Sequence, residues 1–327
     1  MFEPGGGDVL DVRDSENGPQ AADRDRCSIK AMARSPDGGT LVVGGQHILK
    51  LLQLPRGGGR PEWVNVRSGK HSSQHHAAQD VKWHPLGKHL VASASPTGSV
   101  VLWHLSRLQG WGGARTASTA TQEPPMSDSS KLAEVLKGHK GACTRVCWHP
   151  KEPEQLLSCS ADHTVKLWDL RAQQRSAKGE MRSAVDFKCA SKVRDAQFNP
   201  RYPTKFLAAL ESGQIGVWDV RSTSRPERTL GAHNFVLAVE WHDSDANRFA
   251  SSGRDGLIQL WNLRKVEGRD NNRPTTSIRN VVAGASVSRV QWRPGCDFAP
   301  ASEQPALGFR VFASAQLHPP FMPSPTR

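Results

Sequence analysis

Three side chains, His139, Ser158 and Asp162, have the types that a serine hydrolase uses to activate a nucleophile. A second set of the same types follows further along the chain: His233, Ser251 and Asp255. Hydrolysis needs one serine on an exposed, strained turn beside a group that binds the oxyanion, and neither set shows that context. Because the set occurs twice, the sequence favours a repeated structural unit over one active site.

Histidines and cysteines elsewhere in the chain are candidates for binding a metal ion. The polar segment KHSSQHH carries three histidines but no cysteine or second ligand pair, so we expect solvated loop residues at His71, His75 and His76. Cys143 and Cys147 form a CxxxC spacing with no second pair, and we expect Cys147 and Cys159 to be small core residues. No Walker loop, HExxH, GxSxG or GxGxxG after a strand is present, so the sequence predicts no enzyme, cofactor or metal.

The segments that carry these residues repeat around tryptophan. The chain has ten tryptophans against one tyrosine, and eight of the ten occupy two registers that lie 20 residues apart. The first register reads VKWHP (81–85), VCWHP (146–150), AQFNP (196–200), VEWHD (239–243) and VQWRP (290–294). The second reads VVLWHL (100–105), VKLWDL (165–170), IGVWDV (215–220) and IQLWNL (258–263). This internal repetition indicates a repeat architecture.

Each repeat has the pattern of short strands separated by turns. An apolar run stops at a proline, a strand of small residues follows, and a polar turn leads into a β-branched strand through the second tryptophan. Helical periodicity of 3.6 residues is absent. A unit of about 40 residues with four strands and a Trp-Asp pair is typical of a β-propeller blade, so we expect an all-β fold.

The sequence resembles the WD40 family over roughly residues 27 to 297. The family's Trp-Asp pair stands at Trp168-Asp169 and Trp218-Asp219, and its Gly-His pair at Gly138-His139. The resemblance implies that each blade holds a buried hydrogen-bond network between strand, turn and incoming loop. It places this network at His139, Ser158, Asp162 and Trp168 in one blade, and at His233, Ser251, Asp255 and Trp261 in another.

The blade count predicts an unfinished ring. We count five full WD40 blades and an incomplete sixth, and the first blade has Leu52 where the second-register tryptophan would stand. Such a propeller stops before ring closure and exposes a sheet edge. We therefore expect a truncated gene product or a piece whose missing blade is supplied elsewhere, and poor solubility of the isolated chain.

Composition divides the chain into a propeller and two flanking segments. Residues 1–26 carry a net charge of −4 and should be a disordered, Gly-rich leader, and residues 317–327 form a Pro-rich tail. The propeller is assigned to residues 27–316 and contains a low-complexity loop at 106–131. No run of about 20 apolar residues and no signal peptide is present, and six scattered cysteines suit a reducing compartment.

The net charge of +12 allows several classes of partner. Without the leader, 40 basic and 24 acidic residues remain, a net of +16, but they are spread along the blades without an RNP motif. We expect a mixed surface, with acidic protein partners next and nucleic acid or chromatin third. Two WDxR motifs also resemble the element that docks a cullin ubiquitin ligase adaptor, through Asp169, Arg171, Asp219 and Arg221. A local pairing of these arginines is the alternative.

Several phrases resemble a narrower family, the WD repeat subunits of GATOR/SEA complexes, whose fungal member is named for restriction of telomere capping. They are CSIKAMARSPDG (27–38), SKVRDAQFNP (191–200) and ASVSRVQWRP (285–294). The resemblance implies a non-catalytic scaffold that regulates target-of-rapamycin kinase signalling in response to amino acids. It implies other propeller subunits as partners and a cytoplasmic location, with recruitment to the lysosomal or vacuolar surface through the complex. The zinc region that ends the family's longer chains is absent here, so no catalytic residue carries over.

Overall fold

A computed structural model describes ten stretches of the chain: residues 29–46, 48–54, 60–66, 77–87, 89–108, 132–171, 182–264, 273–279, 286–292 and 309–314. These residues form 22 β-strands and one short 3-10 helix, Leu105–Arg107, and they include no α-helix. The strands are grouped into five four-stranded antiparallel sheets and one two-stranded sheet. Within each sheet, strands that follow one another in the chain lie side by side, so every sheet is a simple meander.

Blades 1 to 3 are the sheets nearest the N-terminus. Blade 1 comprises β1 (Ile29–Arg34), β2 (Thr40–Gly45), β3 (Leu49–Gln53) and β4 (Glu62–Asn65). Blade 2 comprises β5 (Asp80–Trp83), β6 (Leu90–Ala94), β7 (Ser99–His104) and β8 (Ala133–Lys137). Blade 3 comprises β9 (Cys143–Trp148), β10 (Gln155–Ser160), β11 (Thr164–Asp169) and β12 (Val185–Lys188).

Blades 4 to 6 follow in the same arrangement. Blade 4 comprises β13 (Val193–Phe198), β14 (Lys205–Leu210), β15 (Gln214–Asp219) and β16 (Arg228–Gly231). Blade 5 comprises β17 (Val236–Trp241), β18 (Arg248–Gly253), β19 (Leu257–Asn262) and β20 (Thr276–Arg279). Blade 6 comprises β21 (Ser286–Trp292) and β22 (Phe309–Ser314).

The structure confirms the predicted fold class, with five complete blades and an incomplete sixth. The predicted leader at 1–26 and tail at 317–327 lie outside the described residues. The segment predicted as a loop, 106–131, begins inside the 3-10 helix, and its residues 109–131 also lie outside the described part.

A tight turn joins the second and third strands of blades 2 to 5. This turn requires a left-handed residue, and glycine supplies it in three blades at Gly98, Gly213 and Gly256. In blade 3 the same position is His163, with φ of 67°. The turn fixes how the second and third strands pair. It places the second-register tryptophan of the third strand opposite a residue of the second strand, as in the Leu156–Trp168 pair.

The hydrophobic core lies between neighbouring blades. One face of each blade carries aliphatic residues on its middle strands, and this face packs against the aromatic face of the next blade. Between blades 2 and 3 the aliphatic side consists of Leu90, Ala92, Ala94, Val100, Leu102 and Leu136, and the opposite side includes Val146, Trp148, Leu156 and Trp168. The first strand of each blade packs on the first strand of the next, from β1 through β5, β9, β13 and β17 to β21, so these strands form the inner wall of the propeller.

The first-register tryptophans fasten each blade to the one before it. The indole Nε1–H of Trp148 donates to the carbonyl oxygen of Lys82 at 3.2 Å, and that of Trp241 donates to Gln197 at 3.2 Å. The same bond, from blade to preceding blade, is made by Trp83 to Ala33 and by Trp292 to Glu240. Blade 4 has Phe198 in this register, and phenylalanine has no N–H to donate.

The residue that follows the first-register aromatic residue contacts the next blade. The ring of His84 packs edge-on against Trp148 of the next blade, with centroids 4.9 Å apart, and its Nε2 lies 3.0 Å from the carbonyl oxygen of Pro153. His149 packs edge-on against Phe198, and Asn199 donates from Nδ2 to the Ala246 carbonyl at 2.8 Å. The Trp-His dipeptide therefore joins a blade to both neighbours.

The hydrogen bond from Trp148 to the Lys82 carbonyl gives a test of how blades 2 and 3 are held together. Trp148→Phe keeps an aromatic ring in the core but leaves the Lys82 carbonyl without its indole donor. We expect the free energy of unfolding to fall by about 1 kcal/mol, measured by urea denaturation. Trp63→Phe is the control, because Trp63 is 39% exposed and lies outside both registers. Equal stability of Trp148→Phe and the unmodified protein would show that the bond does not hold the blades together.

Candidate functional site

The predicted network in blade 3 is assembled from four elements. The indole Nε1–H of Trp168 on β11 donates to Ser158 Oγ on β10 at 2.8 Å. Ser158 Oγ lies 2.8 Å from His139 Nε2, in the segment that precedes β9. On its other side, His139 Nδ1 lies 3.0 Å from Asp162 Oδ2, in the turn between β10 and β11. The carboxylate also accepts the backbone N–H of Lys140 at 2.9 Å.

Blade 5 holds the same four side chains in the same order. Trp261 Nε1 donates to Ser251 Oγ at 2.9 Å, and Ser251 Oγ lies 2.9 Å from His233 Nε2. His233 Nδ1 lies 3.0 Å from Asp255 Oδ2. All eight sequence-predicted residues of the two networks are thus brought together, four in each blade.

Each serine oxygen accepts from an indole that can only donate, and each carboxylate opposite Nδ1 can only accept. Nδ1 of each histidine therefore donates to the carboxylate, and Nε2 is the ring atom that faces the serine hydroxyl. Burial lowers the pKa of His233, against the raising effect of Asp255. Burial alone would raise the pKa of Asp162, but hydrogen bonds from His139 and Thr164 outweigh it and hold that pKa well below its ordinary value.

This arrangement differs from a hydrolase site in access to the serine. Ser158 is 1% exposed and Ser251 is fully buried, and a tryptophan indole occupies an acceptor position of each hydroxyl. A substrate carbonyl therefore cannot approach either oxygen for nucleophilic attack. What the network does chemically is to satisfy the buried indole and hydroxyl while tying a turn and an incoming loop to the strands.

The sequence reasoning missed how the network varies in blades 2 and 4. Blade 2 repeats its first link, since Trp103 Nε1 donates to Ser93 Oγ at 2.9 Å. In blade 4 the residue at the serine position is Ala208, and the buried indole N–H of Trp218 has no hydrogen-bond partner among the described residues. The signal was present in the sequence, because the serine stands ten residues before the tryptophan in blades 2, 3 and 5.

The WDxR residues make local ion pairs. Arg221 donates from Nη2 to Asp219 Oδ2 at 2.6 Å and from Nε to Oδ1 at 2.9 Å. Hydrogen bonding from Arg221 is the main cause of the lowered pKa of Asp219. Arg171 Nη2 donates to Glu152 at 2.8 Å and its Nε to Asp169 at 3.3 Å. Both guanidinium groups are at least half exposed, so each faces solvent while its carboxylate partner holds it in place.

A second polar cluster lies on the inner wall of the propeller and was not predicted. Asp80 on β5 is fully buried, pairs with Arg289 on β21, and accepts the backbone N–H of Val146 at 3.3 Å. Burial alone would raise the pKa of Asp80, but the charges of Arg145 and Arg289 outweigh it and leave that pKa lowered. The pair joins two blades that are not neighbours in the chain order, blade 2 and blade 6.

The cluster continues around the wall through Asp195 on β13. Its Oδ2 accepts the backbone N–H of Val239 at 3.2 Å, and its Oδ1 lies 3.9 Å from Nε of Arg145. Burial raises the pKa of Asp195 despite these arginines. Nearby Glu240 has its pKa raised to about 8, first by burial and then by the charges of Asp195 and Asp243. Glu240 therefore retains its proton at neutral pH.

The described residues contain no group of three or more histidine, cysteine or acidic side chains placed to hold a metal ion. His71, His75 and His76 lie outside the described part of the chain. Cys159 is buried, Cys147 is partly buried, and burial raises the pKa of the Cys147 thiol to about 11. Among the described stretches, no helix is long and apolar enough to cross a membrane.

Comparison with known families agrees with the blade geometry. The family "WD domain, G-beta repeat" matches residues 130–169 and 224–262, which contain most of blades 3 and 5. Residues 130–169 and 224–262 are WD40 repeats. The two matched repeats are those that carry the complete four-residue networks.

Curated relatives extend the WD40 match to most of the chain. It is 32% identical over 260 residues to the GATOR2 complex protein WDR24 of Danio rerio, covering 79% of this chain and 29% of the relative. It is 26% identical over 269 residues to Maintenance of telomere capping protein 5 of Saccharomyces cerevisiae, covering 81% of this chain and 20% of the relative. It is 31% identical over 129 residues to the GATOR2 complex protein Wdr59 of Drosophila melanogaster, covering 39% of this chain and 13% of the relative. The chain thus spans less than a third of the length of these relatives.

The network of blade 3 predicts a loss of stability when its histidine is removed. In His139→Ala, the buried hydroxyl of Ser158 loses its acceptor and Asp162 loses a donor. We expect the free energy of unfolding to fall by about 1 to 3 kcal/mol, measured by urea denaturation. The control is Ser212→Ala, an exposed residue in the corresponding turn of blade 4, which forms no such network. An unchanged midpoint for His139→Ala would contradict a stabilising role.

Glu240 predicts a pH-dependent difference in stability. Its folded-state pKa of about 8 exceeds the ordinary value of 4.5, so between these pH values the folded state holds a proton that the unfolded state has lost. Stability from this group is therefore fully present below pH 4.5, is lost as the pH rises from there through about 8, and does not change further above that. Glu240→Gln removes this dependence, so the variant should melt at a higher temperature than the unmodified protein at pH 9 and not at pH 5.

The two proteins must be compared at each pH, because other groups also titrate. The lowered pKa values of His84, His149 and His233 make acid destabilising in both proteins, and this effect cancels in the difference. Glu62→Gln, at an exposed carboxyl, is the control. A melting difference between Glu240→Gln and the unmodified protein that is the same at pH 5 and pH 9 would contradict the assignment.

Proposed function

We propose that the chain is a scaffold part of a GATOR2-type complex. The observation that carries this is its similarity, over about four-fifths of its length, to the GATOR2 complex protein WDR24. Because the chain spans 29% of that relative, the proposal concerns the propeller and its contacts. Within such a complex, the propeller would act in the control of target-of-rapamycin kinase signalling by amino acids, on the surface of the lysosome or vacuole.

A non-catalytic role fits the chemistry of the described residues. The serines with histidine and aspartate partners are buried, and each hydroxyl oxygen already contacts a tryptophan indole and a histidine ring. The described thiols have raised pKa values, so they are poor nucleophiles at neutral pH. The polar groups of this propeller are engaged in holding it together, which leaves its faces and turns as the functional surface.

Other WD40 subunits are the partners that the comparisons favour. The relative named Wdr59 is itself a GATOR2 complex protein, and it shares similarity with residues of this chain. Two similar WD40 proteins thus carry the name of one complex, which supports a partner of the same fold. Acidic surfaces on such partners would complement the net positive charge of the chain.

Affinity purification from the native cell tests the proposal. The chain is tagged at its own locus, isolated at physiological salt and analysed by mass spectrometry. We expect to recover, together with the chain, WD40 proteins that are similar to WDR24 and Wdr59 and that belong to a GATOR2-type complex. Arg254→Glu, at an exposed turn of blade 5, provides a matched surface-charge control for the variants below.

Two outcomes would overturn the proposal. The first is recovery of cullin ligase adaptor components instead. If this recovery is lost in an Arg171→Glu, Arg221→Glu double variant and kept in the Arg254→Glu control, the WDxR motifs have the adaptor role. Recovery of nucleic acid with an affinity that falls steeply with salt would assign nucleic-acid binding. Fractionation on the same cells checks the location, and absence of the chain from lysosomal or vacuolar membranes under amino-acid supply would contradict recruitment.

A further inference from the structure

The loop that joins β15 to β16 in blade 4 is exposed and has little internal bonding. It reads RSTSRPE over residues 221–227, and every side chain from 221 to 225 is exposed. Backbone hydrogen bonds to carbonyl oxygens of β15 hold its two ends. Between these ends, the backbone of Thr223, Ser224 and Arg225 forms no hydrogen bond with the part of the chain that the structure describes. Pro226 favours an extended conformation at the residue before it, so the segment is accessible to an enzyme that binds extended chain.

The hydroxyl of Ser224 follows an exposed arginine at a spacing of three residues. The guanidinium of this arginine, Arg221, is 75% exposed and donates to Asp219 from Nε and Nη2. A guanidinium has five N–H donors, so its outer edge can still pair with carboxylates of another protein. Protein kinases that select basic substrates use such carboxylates to recognise an arginine three residues before the acceptor hydroxyl. The arrangement therefore has the chemistry of a kinase substrate.

The structure separates this serine from other residues with the same spacing. An arginine stands three positions before five hydroxyl residues of the chain: Ser118, Thr204, Ser224, Ser251 and Thr276. Ser251 is fully buried, and Thr276 is paired within the sheet of blade 5. Thr204 lies in a tight turn that is closed by a backbone hydrogen bond of 2.8 Å, and Ser118 lies outside the described residues. Of the four that the structure describes, only Ser224 is both exposed and in an unpaired segment.

We propose that Ser224 is phosphorylated by a protein kinase that selects an arginine three residues before the acceptor. The kinase transfers the γ-phosphoryl group of MgATP. A bond forms between Ser224 Oγ and the γ-phosphorus, the bond from that phosphorus to the bridging oxygen of ADP breaks, and the hydroxyl proton passes to a carboxylate of the kinase. The products are ADP and phosphoserine. The inference is independent of the proposed function, because it rests on one loop of blade 4.

Phosphorylation changes the charge of this part of the surface. Residues 221–228 contain three arginines and one glutamate, a net charge of +2. A phosphoserine carries about −1.5 to −2 charges at neutral pH, so the net charge of the segment falls to about zero. The modification therefore removes the attraction of this loop for acidic surfaces of other proteins. Because Arg221 also belongs to a WDxR motif, the change lies next to that motif.

A kinase of this specificity tests the proposal on the full chain. The chain is tagged at its own locus, isolated from the native cell with its bound proteins, and treated with a phosphatase. It is then incubated with MgATP and the catalytic subunit of cyclic-AMP-dependent protein kinase, and the phosphorylated residues are located by mass spectrometry. We expect phosphate on Ser224 and none on Thr204, Ser251 or Thr276. Ser224→Ala should abolish phosphorylation of the loop. Ser222→Ala should not, because the residue three positions before Ser222 is an aspartate.

Two arginine variants test how the kinase recognises the loop. Arg221→Ala removes the guanidinium that the kinase would bind, so the initial rate of phosphate incorporation at Ser224 should fall about tenfold or more. Arg225→Ala removes a guanidinium from the same loop at a different spacing, and the rate should change less than about twofold. Both arginines are exposed, so both variants should melt like the unmodified protein.

A synthetic peptide of residues 217–229 is the control for the kinase itself. Phosphate on the peptide but not on the chain would overturn the proposal, because the folded loop would then be inaccessible. A peptide that is not phosphorylated would show that the arginine spacing is insufficient, and would also overturn it. So would phosphate on Ser222 or Thr223 of the chain, or an equal rate for Arg221→Ala and the unmodified chain. These outcomes leave the proposed function untouched, since it is tested by which proteins are recovered with the chain.

Discussion

The indole N–H of a buried tryptophan is a donor that must find an acceptor, and the rest of the propeller depends on how this is done. The first-register indoles take a backbone carbonyl of the preceding blade, as Trp148 does with Lys82. Three of the four second-register indoles take a serine hydroxyl inside their own blade, as Trp168 does with Ser158, and Trp218 is the exception. One register thus joins blades and the other closes the turn within a blade, which explains why the chain has ten tryptophans against one tyrosine.

This constraint also decides what the serine, histidine and aspartate residues do. The hydroxyl of Ser158 lies between the indole of Trp168 and Nε2 of His139, and Nδ1 of His139 donates to Asp162, whose pKa is lowered. The serine, histidine and aspartate therefore resemble a catalytic triad for a structural reason. The buried indole N–H needs an acceptor, and the hydrogen bonds continue from that serine through the histidine to a charged aspartate near the surface. Function then falls to the surfaces that this internal bonding leaves free.

Most of the fold followed from local sequence, because a blade is built from strands and turns close together in the chain. The networks around His139 and His233 were implied by the resemblance to the WD40 family, whose motif residues lie within one repeat. The pair between Asp80 and Arg289 was not, because 209 residues separate them and only ring geometry brings them together. Trp218 fits the tryptophan register, so the register alone does not show that its indole lacks an acceptor. The only sign in the sequence is Ala208, which stands where other blades have the accepting serine. The exposure of Met32 depends on what lies beside blade 1, which no residue of that strand encodes.

Hydrogen exchange of the indole protons in protein labelled with 15N at tryptophan tests the central claim most directly. The account predicts slow exchange and hydrogen-bonded chemical shifts for seven indoles, assigned by single substitutions: Trp83, Trp103, Trp148, Trp168, Trp241, Trp261 and Trp292. It predicts rapid exchange for the exposed Trp63, and a shift typical of an unbonded N–H for the buried Trp218. Exchange of the seven as rapid as that of Trp63, or a Trp218 shift like theirs, would contradict it.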